Sequence, residues 1–243
     1  MNNIDKLQNL IDKSDNIVFF GGAGVSTESG IKDFRGRDGL YKEKYNNYPP
    51  EYMLSRKCLY NNTEMFYDYY RKNMDVCGAK PNITHKYLKK LEDRNKLKAI
   101  ITQNIDGLHS QVGCKNVLEI HGTIYKNHCL KCNKEYDAKY VFESNGIPKC
   151  TCGGIIKPDV VLYGEALPDK DYYGSIKAVS EADMLIVMGS SLTVYPASGL
   201  IDLFQGKYLV IINNSGTPYD YKANLVINDN LSKVSKILLD YYN

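Results

Sequence analysis

Tryptophan is absent from this chain of 243 residues, and 21 tyrosines carry most of its aromatic character without pointing to any one function. Long apolar runs are absent too. Stretches such as 184–188 fall far short of the roughly 18 residues that a bilayer span needs, so no membrane anchor is expected. Charge of one sign is scarce: 31 basic residues stand against 28 acidic ones, evenly spread. A net charge of +3 argues against nucleic acid or an anionic membrane as the main partner. The segment MNNIDKL reads as the start of an amphipathic helix and lacks the basic start and apolar core of a secretory signal, so a cytoplasmic protein is expected. There, the matches to the N-glycosylation pattern at Asn61 and Asn82 are chance or helix-cap chemistry. Repeats and low-complexity tracts are also missing. With 43% hydrophobic and 24% charged residues, the composition excludes a disordered tail, a collagen-like fibre and a disulfide-stapled miniprotein. The length suits one large domain, or one that carries a smaller insertion.

What is present is a rhythm. Short apolar runs at 17–20, 99–102, 117–120, 185–188 and 208–212 are bounded by turn residues and alternate with helical patterns. Apolar spacing of three and four, with caps such as Thr84 and Ser232, predicts helices over 3–14, 63–76, 83–95, 172–181, 197–205 and 231–242. Such alternation implies an α/β fold with a mostly parallel sheet and helices on both faces. Two stretches break the pattern. Residues 30–60 carry glycines and the Pro49-Pro50 pair without clear periodicity and read as a mobile loop with flanking helices. Residues 124–156 are rich in Cys, Lys, Asn and Gly and read as a metal-stapled insertion.

Seven cysteines in a chain with no export signal argue against a disulfide framework, because cytosolic thiols stay reduced. Four are arranged in pairs. Cys129 and Cys132 are followed after 17 residues by Cys150 and Cys152, each pair in a turn-rich segment. Four thiolates on two knuckles can surround one zinc ion, which suits a segment with little core of its own. A redox pair or plain buried thiols is the competing reading, and His128 is an alternative ligand. Four protein ligands leave no open position for an activated water, so such a zinc is structural. Cys58, Cys77 and Cys114 lie apart and read as ordinary core or surface thiols.

The strand at 17–20 runs into Gly21-Gly22-Ala23-Gly24. A strand, a G-x-G turn and a helix start let backbone amides approach a pyrophosphate, although Thr27 stands where the usual fingerprint has its third glycine. The other strand ends carry Gln103, Asn104 and Asp106, then His121, then Ser190 and Ser191, then Asn213. Ligands of open α/β sheets bind beyond the carboxyl ends of the strands, so these polar groups converge on one edge. Asn213 and the serines suit ribose hydroxyls, and Asn104 with Asp106 suits an amide. His121 at that rim has the pKa range for proton exchange.

These segments together resemble the sirtuins, the NAD-dependent protein deacylases. The matching stretches are GAGVSTESGIKDFRG at 22–36, TQNIDGLH at 102–109, EIHG at 119–122, the four-cysteine module, KPDVVLYGE at 157–165 and GSSLTVYPA at 189–197. The resemblance implies a doubly wound, Rossmann-like NAD-binding domain from 1–31, 96–123 and 157–243, and a smaller domain from 32–95 and 124–156. It implies NAD as a consumed co-substrate and one structural zinc held by Cys129, Cys132, Cys150 and Cys152. Gly22, Ala23, Gly24, Thr27, Phe34, Arg35, Gln103, Ser190, Ser191 and Asn213 would contact NAD, with Phe34 as a lid. Asn104, Ile105 and Asp106 would form the nicotinamide pocket, and Asp229 would approach the adenine. His121 becomes the general base, with Asn104 beside it in the catalytic set. Val160, Tyr163, Gly164, Glu165, Val194 and Tyr195 would clamp an acyl-lysine protein or peptide by β-augmentation. In the implied reaction the acyl oxygen displaces nicotinamide, and free lysine and O-acyl-ADP-ribose are released. The expected state is a monomer with no direct nucleic-acid or membrane partner.

Lys32 stands where the family usually has proline, and Lys157 replaces a usual arginine. A clade that removes acidic acyl groups carries a Tyr-x-x-Arg pair; here the stretch is Phe66-Tyr67-Asp68-Tyr69-Tyr70-Arg71, so Tyr70 occupies the arginine position. Without a placed guanidinium a succinyl carboxylate lacks its bidentate partner, which favours acetyl and other neutral acyl groups. Three rival classes share parts of the pattern. A hydride-transferring dehydrogenase would recycle the cofactor, a mono-ADP-ribosyltransferase would use the same NAD cleavage, and a zinc-ribbon nucleic-acid module would explain the cysteines alone.

Overall fold

The computed structural model describes residues 2–34, 36, 39–42 and 44–242. In chain order its elements begin α1 (Asn3–Asp12), β1 (Ile17–Gly21), α2 (Pro50–Met53), α3 (Arg56–Asn61), α4 (Thr63–Met74), α5 (Ile83–Asp93) and β2 (Leu97–Thr102). They continue with α6 (Leu108–Gln111), β3 (Val117–Glu119), β4 (Gly122–Cys129), β5 (Glu135–Asp137), α7 (Ala138–Phe142) and β6 (Ile156–Val160). Last come α8 (Asp169–Glu181), β7 (Met184–Met188), β8 (Tyr208–Asn213), β9 (Leu225–Asn228) and α9 (Leu231–Asp240).

The main sheet has six strands in the order β3-β2-β1-β7-β8-β9, parallel at every pairing. β1 and β7 are buried along their whole length, because helices cover both faces and leave no side facing water. One face packs Leu7, Ile11, Phe19, Tyr87, Leu91 and Val234 from α1, α5, α9 and the strands, and the other packs Val18, Phe20, Val179, Leu200 and Ile201. From β1 the chain builds outward to β2 and β3, then returns to β7 on the opposite side of β1. This reversal opens a crevice at the carboxyl ends of β1 and β7, where Gly21 pairs with both Thr102 and Met188.

Local chemistry explains the helices. Asn2 caps α1 through a capping box with Asp5, and Leu7 and Ile11 fall one turn apart on the buried face. The caps of α5 and α9 are Asn82 and Asn230 rather than the expected Thr84 and Ser232, since an asparagine two residues earlier already accepts the free backbone N–H groups. The expected helix over 197–205 is a 3₁₀ run, Ala197–Leu203, and α8 starts at Asp169, three residues before the expected 172.

The second sheet was not apparent from apolar rhythm. β4 pairs antiparallel with β5 on one side and β6 on the other. Its apolar face joins α2, α3, α4 and α7 in a third core containing Phe66, Tyr67, Tyr70, Ile124, Val141 and Ile156. The Tyr67 hydroxyl donates to the Ile156 carbonyl at 2.6 Å and ties α4 to β6. Two segments pack otherwise than the expected division of the chain. α5 places Tyr87, Leu88 and Leu91 in the main-sheet core, and β6 pairs with β4 in the small sheet.

Candidate active site

Backbone sets the entrance to the crevice. A Cβ on Gly24 would lie 2.7 Å from the Gly189 Cα, and one on Gly22 would lie 2.8 Å from the Gly189 oxygen. Only glycine permits this approach, which is held by Gly24 N–H donating to Gly189 O at 2.8 Å. Beyond the turn the chain forms two short 3₁₀ turns, Ala23–Val25 and Thr27–Ser29, instead of the expected helix start; among the described residues no α-helix begins between β1 and Pro50.

At the end of β2 a buried hydrogen-bonded chain forms. Asn104 Nδ2 donates to Ser26 Oγ at 3.0 Å, and Ser26 Oγ donates to Asp106 Oδ2 at 2.7 Å. The Leu108 backbone N–H donates to the other carboxylate oxygen at 3.0 Å. Burial pushes the Asp106 carboxyl up, and the hydrogen bonds from Leu108 and Ser26 pull it back. These bonds fix the Asn104 amide beside the crevice. Ser26 was not among the residues expected in the site: its place in the motif was visible, but its partners lie about 80 residues away.

His121 sits where the chain passes from the main sheet to the small one. Gly122 has φ +74°, and a Cβ there would strike the Asp159 oxygen at 1.9 Å, so the residue after the histidine must be glycine. The His121 carbonyl accepts from Val161 N at 2.9 Å. Its Nδ1 lies 3.0 Å from the Gln103 carbonyl oxygen, and since a carbonyl only accepts, Nδ1 carries the proton. In the neutral ring the lone pair then resides on Nε2. Burial lowers the His121 pKa, with the Gln103 bond opposing it, so the imidazole is neutral at pH 7.

Opposite, Ser190 Oγ donates to Gln103 Oε1 at 2.8 Å, and Asn213 Nδ2 donates to the Ser190 carbonyl at 2.6 Å, joining the ends of β2, β7 and β8. These groups border a cavity of about 740 Å³. Of the expected site residues, it is lined by Ala23, Gly24, Phe34, Gln103, Asn104, Ile105, Asp106, His121, Ser190, Ser191 and Asn213. Val160, Tyr163, Gly164, Glu165, Val194 and Tyr195 line it as well. Gly22 and Thr27 do not, and neither does Asp229, which lies beyond β9 with its carboxylate bound to Lys233 Nζ at 2.6 Å. Arg35 lies outside the described residues. Glu165 accepts from Leu162 N at 3.0 Å and from Lys157 Nζ at 3.1 Å, which fixes the turn carrying Tyr163. The hydroxyls of Tyr41 and Tyr163 meet across the mouth, and Phe34 packs edge-on against Tyr41 with ring centroids 5.4 Å apart. The cavity is also lined by Tyr70, the residue at the arginine position of the Tyr-x-x-Arg stretch, and by Leu54, Asn73, Met74 and Val76, which were not expected in the site.

The four paired cysteines converge away from this cavity. Their sulfurs all lie within 4.8 Å of one another, and Cys129–Cys152 and Cys132–Cys150 are 3.5 Å apart. Tetrahedral zinc with bonds of about 2.3 Å requires sulfurs roughly 3.8 Å apart, so the set fits that ion. Backbone N–H groups of Lys131 and Cys152 and the Tyr136 hydroxyl donate to these sulfurs, as suits thiolates. His128 is not part of the cluster; Asp159 holds its Nδ1 at 2.8 Å.

Residues 22–196 match the family model described as Sir2 family. A protein of Clostridium acetobutylicum named NAD-dependent protein deacetylase is 54% identical, covering 98% of this chain and 99% of its own length. One of Clostridium perfringens with the same name is 53% identical, covering 98% of both. Among solved structures, a histidine-to-alanine variant of Sir2 with deacetylated p53 peptide and 3'-O-acetyl-ADP-ribose superposes with a TM-score of 0.92 at 35% identity, covering 99% of this chain and 98% of that one. Sir2 with p53 peptide and NAD+ gives 0.89 at 34% identity, covering 100% and 99%.

Proposed function

This chain belongs to the Sir2 family, and from that premise we propose that it is an NAD-dependent protein-lysine deacetylase that releases nicotinamide, O-acetyl-ADP-ribose and free lysine. The observation that carries the reading is the pairing of a neutral His121, its Nδ1 proton committed to Gln103, with the Asn104–Ser26–Asp106 chain at one end of the same cavity. NAD, as co-substrate, supplies a glycosidic bond to an excellent leaving group. The residues of this chain do the rest. Asn104 and Asp106 present oriented polar groups to an amide, with no reorganisation needed on binding. His121 Nε2 takes a proton from a ribose hydroxyl as the acyl group moves. Ser190, Asn213 and Gln103 hold the ribose edge, and Ala23 and Gly24 offer the bare backbone a pyrophosphate needs. Phe34, packed on Tyr41, shields the reacting face from water.

Val160, Tyr163, Gly164 and Glu165 on one side and Val194 and Tyr195 on the other are assigned to the acyl-lysine peptide, whose backbone would lie as a strand between them. β6 of the small sheet and helix α4 contribute the second wall of that cleft through Val160, Tyr70, Asn73 and Met74. We further propose a monomer that works in the cytoplasm on protein substrates; the mild net charge of +3 supports the exclusion of nucleic acid as main partner.

The test is incubation with NAD and an acetyl-lysine peptide, following nicotinamide and peptide mass together. One nicotinamide per peptide lightened by an acetyl group is expected. Nicotinamide release with a peptide gaining ADP-ribose would overturn the deacetylase assignment. Acetyl loss that proceeds equally without NAD would also do so.

A further inference from the structure

We propose that Asn82 is a positioning residue for the cofactor: besides capping α5, its side-chain amide holds the turn at 23–30 in the shape that offers bare backbone to a pyrophosphate. This deepens, and rests on, the NAD-dependent reading. Asn82 Oδ1 accepts from the Thr84 backbone N–H at 2.9 Å, which is the cap. Its Nδ2 crosses to the other segment and donates to the Val25 carbonyl at 2.8 Å and to Ser29 Oγ at 3.0 Å. A backbone N–H only donates and a carbonyl only accepts, so these partners fix which way the amide faces. The Asn82 backbone N–H is committed as well, to His85 Nδ1 at 3.3 Å.

The two cross-bonds fall on either side of Ser26, one on each of the 3₁₀ turns Ala23–Val25 and Thr27–Ser29. Turns of three residues have poor internal hydrogen-bond geometry, so their shape depends on what holds them from outside. Gly24 is bonded to Gly189, and Ser26 to Asn104 and Asp106. Beyond Ser26 the second turn is tied back through Asn82 and, on the exposed side, through Asn230 Nδ2, which donates to Glu28 at 3.0 Å. The anchor is firm. Tyr87, Leu88 and Leu91 of α5 are packed in the main-sheet core, and Thr84 Oγ1 accepts from Ser235 Oγ of α9 at 3.0 Å.

The cap alone does not require asparagine, since serine and aspartate serve there equally well. The tie does. An aspartate has no proton to give the Val25 carbonyl, and a serine has a single, shorter donor. Val25 is 1% exposed, so water is poorly placed to replace the lost partner.

Asn82→Ser and Asn82→Asp therefore keep the cap and remove the tie. In the NAD-free protein, the amides of Ser26, Ser29, Gly30 and Ile31, all bonded within the turn, are expected to exchange about tenfold faster in either variant, while α5 keeps its protection. Calorimetric titration is expected to show NAD binding about tenfold more weakly. In turnover the KM for NAD should rise by a similar factor, with kcat and the peptide KM within about twofold, because Ser26 is held separately. Unchanged NAD affinity and turn exchange in both variants would overturn the proposal. So would faster exchange along α5 in place of the turn, which is the signature of a plain cap, or failure of both variants to fold. NAD binding by the wild type with no deacetylation of an acetyl-lysine peptide would overturn the deacetylase reading and leave the role of Asn82 standing; no NAD binding by the wild type would overturn both.

Discussion

The two sheets of this molecule are held together by different means. The six-stranded sheet is stabilised by apolar burial on both faces, through residues such as Phe19, Phe20, Val187 and Ile211 that are excluded from water. The three-stranded sheet has exposed or half-buried residues along much of its strands, an aromatic-rich core on one face, and four cysteines that close its far end. The first is a core built from apolar burial; in the second, residues 130–155 bury little beyond Ala138, Val141 and Cys150, so the four cysteines and a metal between them would staple that segment. His121 lies on the seam, its carbonyl accepting from Val161, the residue after β6, and its ring bonded to the Gln103 carbonyl just beyond β2. The chemistry therefore depends on both regions.

The largest effect that would sharpen this contrast is metal removal. Thiolate zinc modules draw roughly 10–16 kcal/mol of folding free energy from the ion. Chelation is expected to abolish amide protection over 122–160 while β1, β7 and β8 stay protected, as read by hydrogen exchange. Equal loss in both regions would show a single cooperative unit and break the comparison. Next comes the seam itself. His121→Ala is expected to lower kcat by about 10²–10⁴-fold, the usual worth of a general base, with Tm and NAD affinity near those of the wild type. Turnover within a few-fold of the wild type would remove His121 from the reaction.

Smaller effects probe the cores separately. Phe19→Ala is expected to destabilise the main sheet by about 3–5 kcal/mol in denaturant melts, as a transfer loss plus a cavity. A cost below 1 kcal/mol would contradict the account of that core. The main-sheet side also holds two buried imidazoles, His85 and His109, with ring centroids 4.7 Å apart. Burial lowers His85 from 6.5 to about 4, and it lowers His109 well below its ordinary value. A histidine with a depressed folded pKa binds protons more tightly when unfolded, so its stability contribution is complete above pH 6.5 and is lost as pH falls toward 4. The His85 share of that loss is roughly 3 kcal/mol. Glu119, pushed up to about 7 by burial and by Asp171, acts in the opposite sense. The measurement is therefore the difference between the wild type and His85→Gln across this range; parallel pH curves would refute the assignment. The smallest change is in the small-sheet core, where Tyr67→Phe leaves the Ile156 carbonyl without its donor and is expected to cost about 1–3 kcal/mol.

Much of this was legible beforehand. The five apolar runs from 17–20 to 208–212 became β1, β2, β3, β7 and β8; the central strands β1 and β7, buried on both faces, are continuously apolar. β9, Leu225–Asn228, an edge strand of four residues, was not singled out. β4 and β6 escaped for another reason: their pairing spans the whole cysteine insertion, and Lys126, Asn127 and His128 carry no strand-like apolar alternation. The same limit applies in the site. Gln103, His121, Ser190 and Asn213 were visible as polar residues ending apolar strands, and Tyr70 through its place in the Tyr-x-x-Arg stretch, but the partners of Ser26 were not.

The sequence by itself determined the strand rhythm, the ligand chemistry of the four cysteines, the glycines that admit close backbone approach, and the presence of an imidazole beside polar strand ends. These follow from side-chain chemistry and short-range spacing, which need no knowledge of distant partners. Only the tertiary structure decided which nitrogen of His121 carries the proton, that Ser26 bridges Asn104 and Asp106, and that Ser190 and Asn213 join the ends of β2, β7 and β8. Each depends on a contact between residues far apart in the chain or on the solvent lost around a group, and neither quantity exists until the layers have packed.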